Sequence, residues 1–95
     1  MHTHTFSVID LINLVAAEHD WDLWFDSGPG DTRELIFCRP NRFGGDLEVD
    51  IVLDFTGRVE LSEYRRGGEL LRRNAVDRRI SAADVHVMTL ELFKQ

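Results

Sequence analysis

Ninety-five residues with 43% hydrophobic content are enough for one domain with one modest core. No apolar run approaches the roughly 20 residues that cross a bilayer, and the opening "MHTHTF" lacks the basic and apolar regions of a secretory leader, so a cytosolic protein is expected. Net charge is −6 but unevenly spread: residues 1–64 hold thirteen Asp/Glu against four Arg, and residues 65–95 hold four against seven Arg/Lys. The acidic majority repels phosphates and suits a basic partner instead.

In chain order, Ser7 to about Asp20 has the pattern of a helix. Ser7 followed by Asp10 is a capping-box start, in which hydroxyl and carboxylate satisfy the exposed N–H groups of the first turn. Val8, Leu11, Ile12, Val15 and Ala16 recur at helical spacing, widened by Ile9 and Leu14. The first five residues are expected to be flexible.

From Trp21 the period changes to two. "WDLWF" predicts a strand with Trp21, Leu23 and Phe25 on one side and Asp22 and Trp24 on the other, before "SGPGD" breaks the chain. "RELIFCR" is a second strand, ended by Pro40 and the Gly44–Gly45 turn. "LEVDIVLDF" is the clearest: Leu47, Val49, Ile51, Leu53 and Phe55 face one way, Glu48, Asp50 and Asp54 the other, with Val52 among them. "RVELSEY" follows, and "FTG" fits a three-residue hairpin loop with Gly57 left-handed. That register sets Asp54 across from Arg58, Val59 from Leu53, Leu61 from Ile51, Asp50 from Ser62 and Glu48 from Tyr64.

Gly67–Gly68 closes another tight turn and returns "ELLRR" as a fifth strand, with Glu63 opposite Arg72 and Tyr64 opposite Leu71. A short helix over 69–73 competes, because Leu and Arg favour helix. Ser81, with Asp84 three residues on, starts a final helix whose stripe is Val85, Met88 and Leu92 beside Phe93. The expected fold is α+β in two layers: an N-terminal helix, an antiparallel meander of four to five strands, and a C-terminal helix. Both helices are expected on one sheet face.

Candidate chemistry is sparse. Carboxylates in a row along one strand can contribute to a metal site or to paired-acid hydrolysis but complete neither. Where a PD-(D/E)xK nuclease places a lysine two residues after an acid, "VELSE" has Ser62. His2, His4, His19 and His86 form no metal-binding motif, Cys38 has no histidine neighbour in sequence, and neither glycine pair precedes GK[ST]. No cofactor or metal is implied.

Two surfaces remain. Asp22, Trp24, Asp26, Glu48, Asp50, Asp54 and Tyr64 are expected on the polar sheet face, an acidic patch with aromatic anchors. Trp24 alternatively lies beneath the "SGPGDT" loop. The doublets Arg65–Arg66, Arg72–Arg73 and Arg78–Arg79 offer an anion- or nucleic-acid-binding segment, or simply neutralise the acidic strands. The function expected first is a small acidic, non-enzymatic protein-binding module for a basic partner, of the kind that phages or mobile elements encode as inhibitors of host proteins. A nucleic-acid-associated protein using the Arg segment is the alternative, and a divalent-metal-dependent hydrolase the second. Trp24 on a sheet edge would also suit a homodimer. Arginine supplies all but one of the basic residues, a composition typical of GC-rich genomes.

Overall fold

A computed structural model describes residues 6–95; His2 and His4 lie outside the described residues. The element order is α1 (Val8–Glu18), β1 (Asp22–Asp26), β2 (Thr32–Arg39), β3 (Leu47–Asp54), β4 (Val59–Arg66), β5 (Glu69–Ala75) and α2 (Ala82–Leu92). The strands form one antiparallel five-stranded sheet in sequential order, the meander read from the sequence, and residues 69–73 are strand. Both helices cover the same sheet face. Their buried residues Ile12, Ala16, Val85, Leu92 and Phe93 form one core with Leu35, Phe37, Val49, Ile51 and Leu53.

Both helix starts have the expected capping box. Ser7 Oγ accepts from Asp10 N while Asp10 caps Ser7 N, and Ser81 and Asp84 repeat the arrangement. The helices run in the same direction: Val8 and Ser81 line one groove, while at the far end Arg39 donates to His19 O and to Gln95 O. Two aligned dipoles repel. A guanidinium at both carboxyl-terminal ends offsets that repulsion.

Trp21 differs from expectation. It belongs to no strand, because α1 ends in a Schellman turn: Trp21 N donates to Ala16 O at 2.9 Å, Asp20 N to Ala17 O at 3.2 Å, and Asp20 sits at φ 63°. The indole is thereby carried into the core, where its N–H reaches Phe93 O at 2.8 Å and its ring stacks edge-on against Phe93. Phe93 in turn meets Phe37 edge-on at 5.1 Å.

The third strand alternates without a fault, odd residues buried and even ones half-buried. Its partner β4 does not keep phase. Leu53 faces Val59, but Val52 faces Leu61, so Glu60 is an extra residue and all pairing beyond it slips by one. Ile51 faces Ser62, Asp50 faces Glu63, Val49 faces Tyr64 and Glu48 faces Arg65, in place of the pairs expected from an unbroken ladder. A second bulge, at Leu71, puts Glu63 opposite Arg73 instead of Arg72, and Tyr64 opposite Arg72 instead of Leu71. A third, at Trp24, interrupts β1.

The slip moves Ser62 into the core. There it is fully buried, and a chain of bonds satisfies it: Asn74 Nδ2 donates to Ser62 Oγ at 3.3 Å, the Ser62 and Thr89 hydroxyls bond at 2.8 Å, and Thr89 donates to Val85 O at 2.7 Å. With the Ser62 proton directed at Thr89, each hydroxyl both accepts and donates.

Candidate functional site

The sheet face that neither helix covers follows from the register. Even residues of β3 point away from the core, so their cross-strand partners do too. Across that face lie Asp22 and Phe25 of β1, Glu34, Ile36 and Cys38 of β2, Glu48, Asp50 and Val52 of β3, Leu61, Glu63 and Arg65 of β4, and Leu70 and Arg73 of β5. Three of the expected patch residues are therefore together: Asp22, Glu48 and Asp50.

The others are placed differently. Tyr64 faces Val49 and packs against the core, because the extra residue at Glu60 reverses its side. Asp26 pairs with Leu35 on the helix-bearing side, reversed by the bulge at Trp24, and Arg33 holds it through two bonds of 2.9 and 2.7 Å. That guanidinium, with Gly28 N–H, lowers the Asp26 carboxyl to about 2. Asp54 is on the open face at its end but is committed to the hairpin: its Oδ1 accepts from Thr56 N, Thr56 Oγ1 and Arg58 N. Those bonds, the Thr56 hydroxyl first, hold its pKa below the ordinary value. Trp24 is 69% exposed, so the following loop does not cover it. That loop is tied instead by Ser27, whose N–H reaches Glu34 O and whose Oγ accepts from Glu34 N.

Strand alternation also divides the arginines. Arg65 and Arg73 are on the open face, where Arg65 lies 3.2 Å from Glu63 and 3.8 Å from Asp50, and Arg73 lies 3.6 Å from Glu63. Arg66 and Arg72 pair with Leu47 and Tyr64 and take the other side. Arg78 and Arg79 belong to the turn before α2, where Asp77 accepts from Arg79 N and Ile80 N. The six do not make one patch.

The centre of the open face is Asp50. Its side chain keeps 22% of its exposure although no helix lies over it, and Oδ1 is buried with no hydrogen-bond partner. Burial first, then the neighbouring Glu48, push its pKa up to about 7, against the pull of Arg65. Glu34 adds to the upward push. A carboxyl pushed up by burial and a like charge is a candidate for a functional site, although charge networks within a fold have the same effect. No family model, no curated protein and no solved structure matches the chain. The chemistry of the face must therefore be read from its own side chains.

Cys38 shares the face but is buried, and burial with Glu48, Asp50 and Asp46 raises the thiol to about 11. That favours the protonated thiol, the less nucleophilic form, at neutral pH. Among the described residues no three His, Cys, Asp or Glu side chains gather to hold a metal ion. Among the described residues no helix is long and apolar enough to cross a membrane. At the hairpin end, a groove of about 510 Å³ runs between Phe6, Val8, Leu53, Phe55 and Arg58, and a second of about 470 Å³ beside it reaches His86. His86 Nδ1 is buried without a partner, and burial lowers its pKa, favouring neutral imidazole.

Four members of the face escape pattern reading: Phe25, Leu61, Glu63 and Arg65 join it only because of the bulges. The one parity clue is Tyr64, which breaks the odd-numbered rhythm of Val59 and Leu61.

Proposed function

We propose that this chain is a non-enzymatic protein-binding module that captures a cationic protein surface on the β1–β3 half of its open sheet face. One observation carries the reading: Asp22, Glu34, Glu48 and Asp50 share that half with no basic side chain of β1, β2 or β3 among them. Phe25 (46% exposed) and the neighbouring Trp24 supply the apolar anchor beside the charges. A guanidinium or ammonium group docking there gains the long-range attraction of Asp22, Glu34 and Glu48 and supplies a donor to the unpartnered Asp50 oxygen. Inhibition by occupying a target, the role suggested by the small acidic composition, is one form that such capture takes.

The test is affinity capture from a lysate of the native source with the wild-type chain as bait beside Glu48→Lys/Asp50→Lys. Basic proteins retained at low salt, shed at high salt and absent from the variant support the reading. Equal retention by both baits, or retention indifferent to salt, refutes it.

A further inference from the structure

The carboxyls at the centre of the open face crowd one another. Glu48 and Asp50 project the same way from β3, and Glu34 of β2, opposite Val52, stands diagonally across from Asp50. Glu63 of β4 is directly opposite Asp50. Little offsets them. Arg65 is closer to Glu63, at 3.2 Å, than to Asp50, at 3.8 Å, and Arg73 lies 3.6 Å from Glu63. Cys38, opposite Glu48, has a thiol raised to about 11, which favours its neutral form, and Asp22 beyond it adds another acid. The helices pack on the other side of the sheet and bring no cation to Asp50.

Two details of geometry set Asp50 and Glu48 apart from an ordinary acidic surface. Asp50 Oδ1 is buried and has no hydrogen-bond partner. Glu48 is within hydrogen-bonding reach of Asp50, and two carboxyls bond to each other only when one of them carries a proton. We propose that capture at this face is gated by that proton: in the free chain Glu48 and Asp50 hold it between them, and a docking guanidinium expels it. The inference rests on the reading of the acidic half as a cation-binding surface, and adds how that surface is regulated.

The gate is an exchange of partners. While the proton is held, one carboxyl is neutral and the repulsion within the cluster is relieved. A guanidinium brings several N–H donors in one plane and a positive charge, so both carboxyls are satisfied as carboxylates and nothing favours the proton any longer. The carboxyl O–H bond breaks, the proton passes to solvent, and the ionised pair faces the cation. Ile36 stands opposite Asp50, with Val52 and Leu61 beside it, all half-buried. This apolar surround strengthens the repulsion before docking and the attraction after it.

The direction follows from which form the cation prefers. It binds the ionised pair, so affinity rises with pH through the Asp50 value of about 7 and levels off above it. A single group of that pKa, ionised in the complex, changes Kd by about tenfold between about pH 6 and pH 8.

The test is calorimetric titration of the chain with a hexa-arginine peptide, acetylated and amidated so that the probe itself does not titrate, at constant salt across that pH range. Pairs of buffers with different ionisation heats count the protons released. The wild type should bind about tenfold more tightly at the upper pH, releasing nearly one proton at the lower pH and almost none at the upper. Asp50→Asn should lose the pH difference, and Glu48→Gln should keep it with the midpoint moved to lower pH. Circular dichroism checks that both near-isosteric variants are folded, and the proton count on the wild type decides without them.

Equal wild-type affinity at both pH values, no proton release, or a pH dependence unchanged in folded Asp50→Asn overturns the gate. Glu48→Lys/Asp50→Lys at the upper pH separates this from failure of the underlying reading. Binding that this variant abolishes, yet that the wild type shows equally at both pH values, overturns the gate alone. Binding that it leaves intact, or no binding by the wild type, overturns the cation-capturing face as well.

Discussion

The two faces of this sheet treat polar atoms in opposite ways. Beneath the helices, Ser62, Thr89 and Asn74 are buried, and their bonds run in a continuous chain to the Val85 carbonyl. On the uncovered side Asp50 has a buried oxygen with no partner. Around Ser62 the covered surface has been completed from within the chain, with His86 Nδ1 left over at its margin, whereas the centre of the open surface has not. An unsatisfied buried carboxyl costs stability that a partner's donor would return. The contrast therefore locates where an outside contact would be energetically useful, without reference to what that contact is.

The sharpest way to break the contrast is to truncate one apolar side chain on each face. Phe37→Ala removes a ring enclosed by Phe93 and the core, and should cost about 3–5 kcal/mol. Total stability for such domains is only about 5–15 kcal/mol, so the loss should be obvious in urea denaturation. Val52→Ala on the open face should cost about 1 kcal/mol or less in dilute, monomeric protein. Similar losses at both positions would mean that the open side is packed as a core.

Next in size is Ser62→Ala. It leaves the Asn74 amide and the Thr89 hydroxyl without their shared partner, at about 1–3 kcal/mol in the same assay. An unchanged midpoint would show that the bonded chain does not contribute to the covered face.

The smallest effect is on the open side and has the opposite sign. Asp50 titrates near 7 when folded against 3.8 as an ordinary carboxylate. Between those values the folded chain keeps a proton that the unfolded chain has released, so stability falls as pH rises through the window and is lowest above it. Asp50→Asn should therefore stabilise the fold at about pH 8, by on the order of 1 kcal/mol once screening is allowed for, and hardly at all at about pH 4. Melting temperatures across that range test it; a gain independent of pH would remove burial of the charge as the cause.

Much of the architecture was readable from local pattern. Ser7–Asp10 and Ser81–Asp84 mark both helix starts, the alternation of Leu47 to Leu53 assigns both sides of β3, and Gly57 and the Gly67–Gly68 pair lie at the turns they imply, at positive φ. What escaped was phase. Glu60, Leu71 and Trp24 are ordinary strand residues by composition, and only Tyr64, out of step with Val59 and Leu61, hints at an extra place in the ladder. A bulge is a relation between two strands, two residues on one opposing one on the other, which no single segment encodes. Hence Tyr64 and Asp26 were assigned to the wrong side while Glu48 and Asp50, on the unbroken strand, were not. Asp54 eluded pattern for another reason: hairpin capping is decided by side-chain hydrogen bonds, not by parity.

The surplus residue at Glu60 works as a half-step in a two-beat rhythm. Downstream of it, what odd numbering means on β3 is what even numbering means on β4. Excising Glu60 would close the ladder and keep every downstream pair, whereas taking it into the ladder opposite Val52 would drive Glu63 and Arg65 inward and turn Ser62 and Tyr64 out to solvent. Whether that one residue stands in the ladder or outside it decides which half of an eight-residue strand is interior.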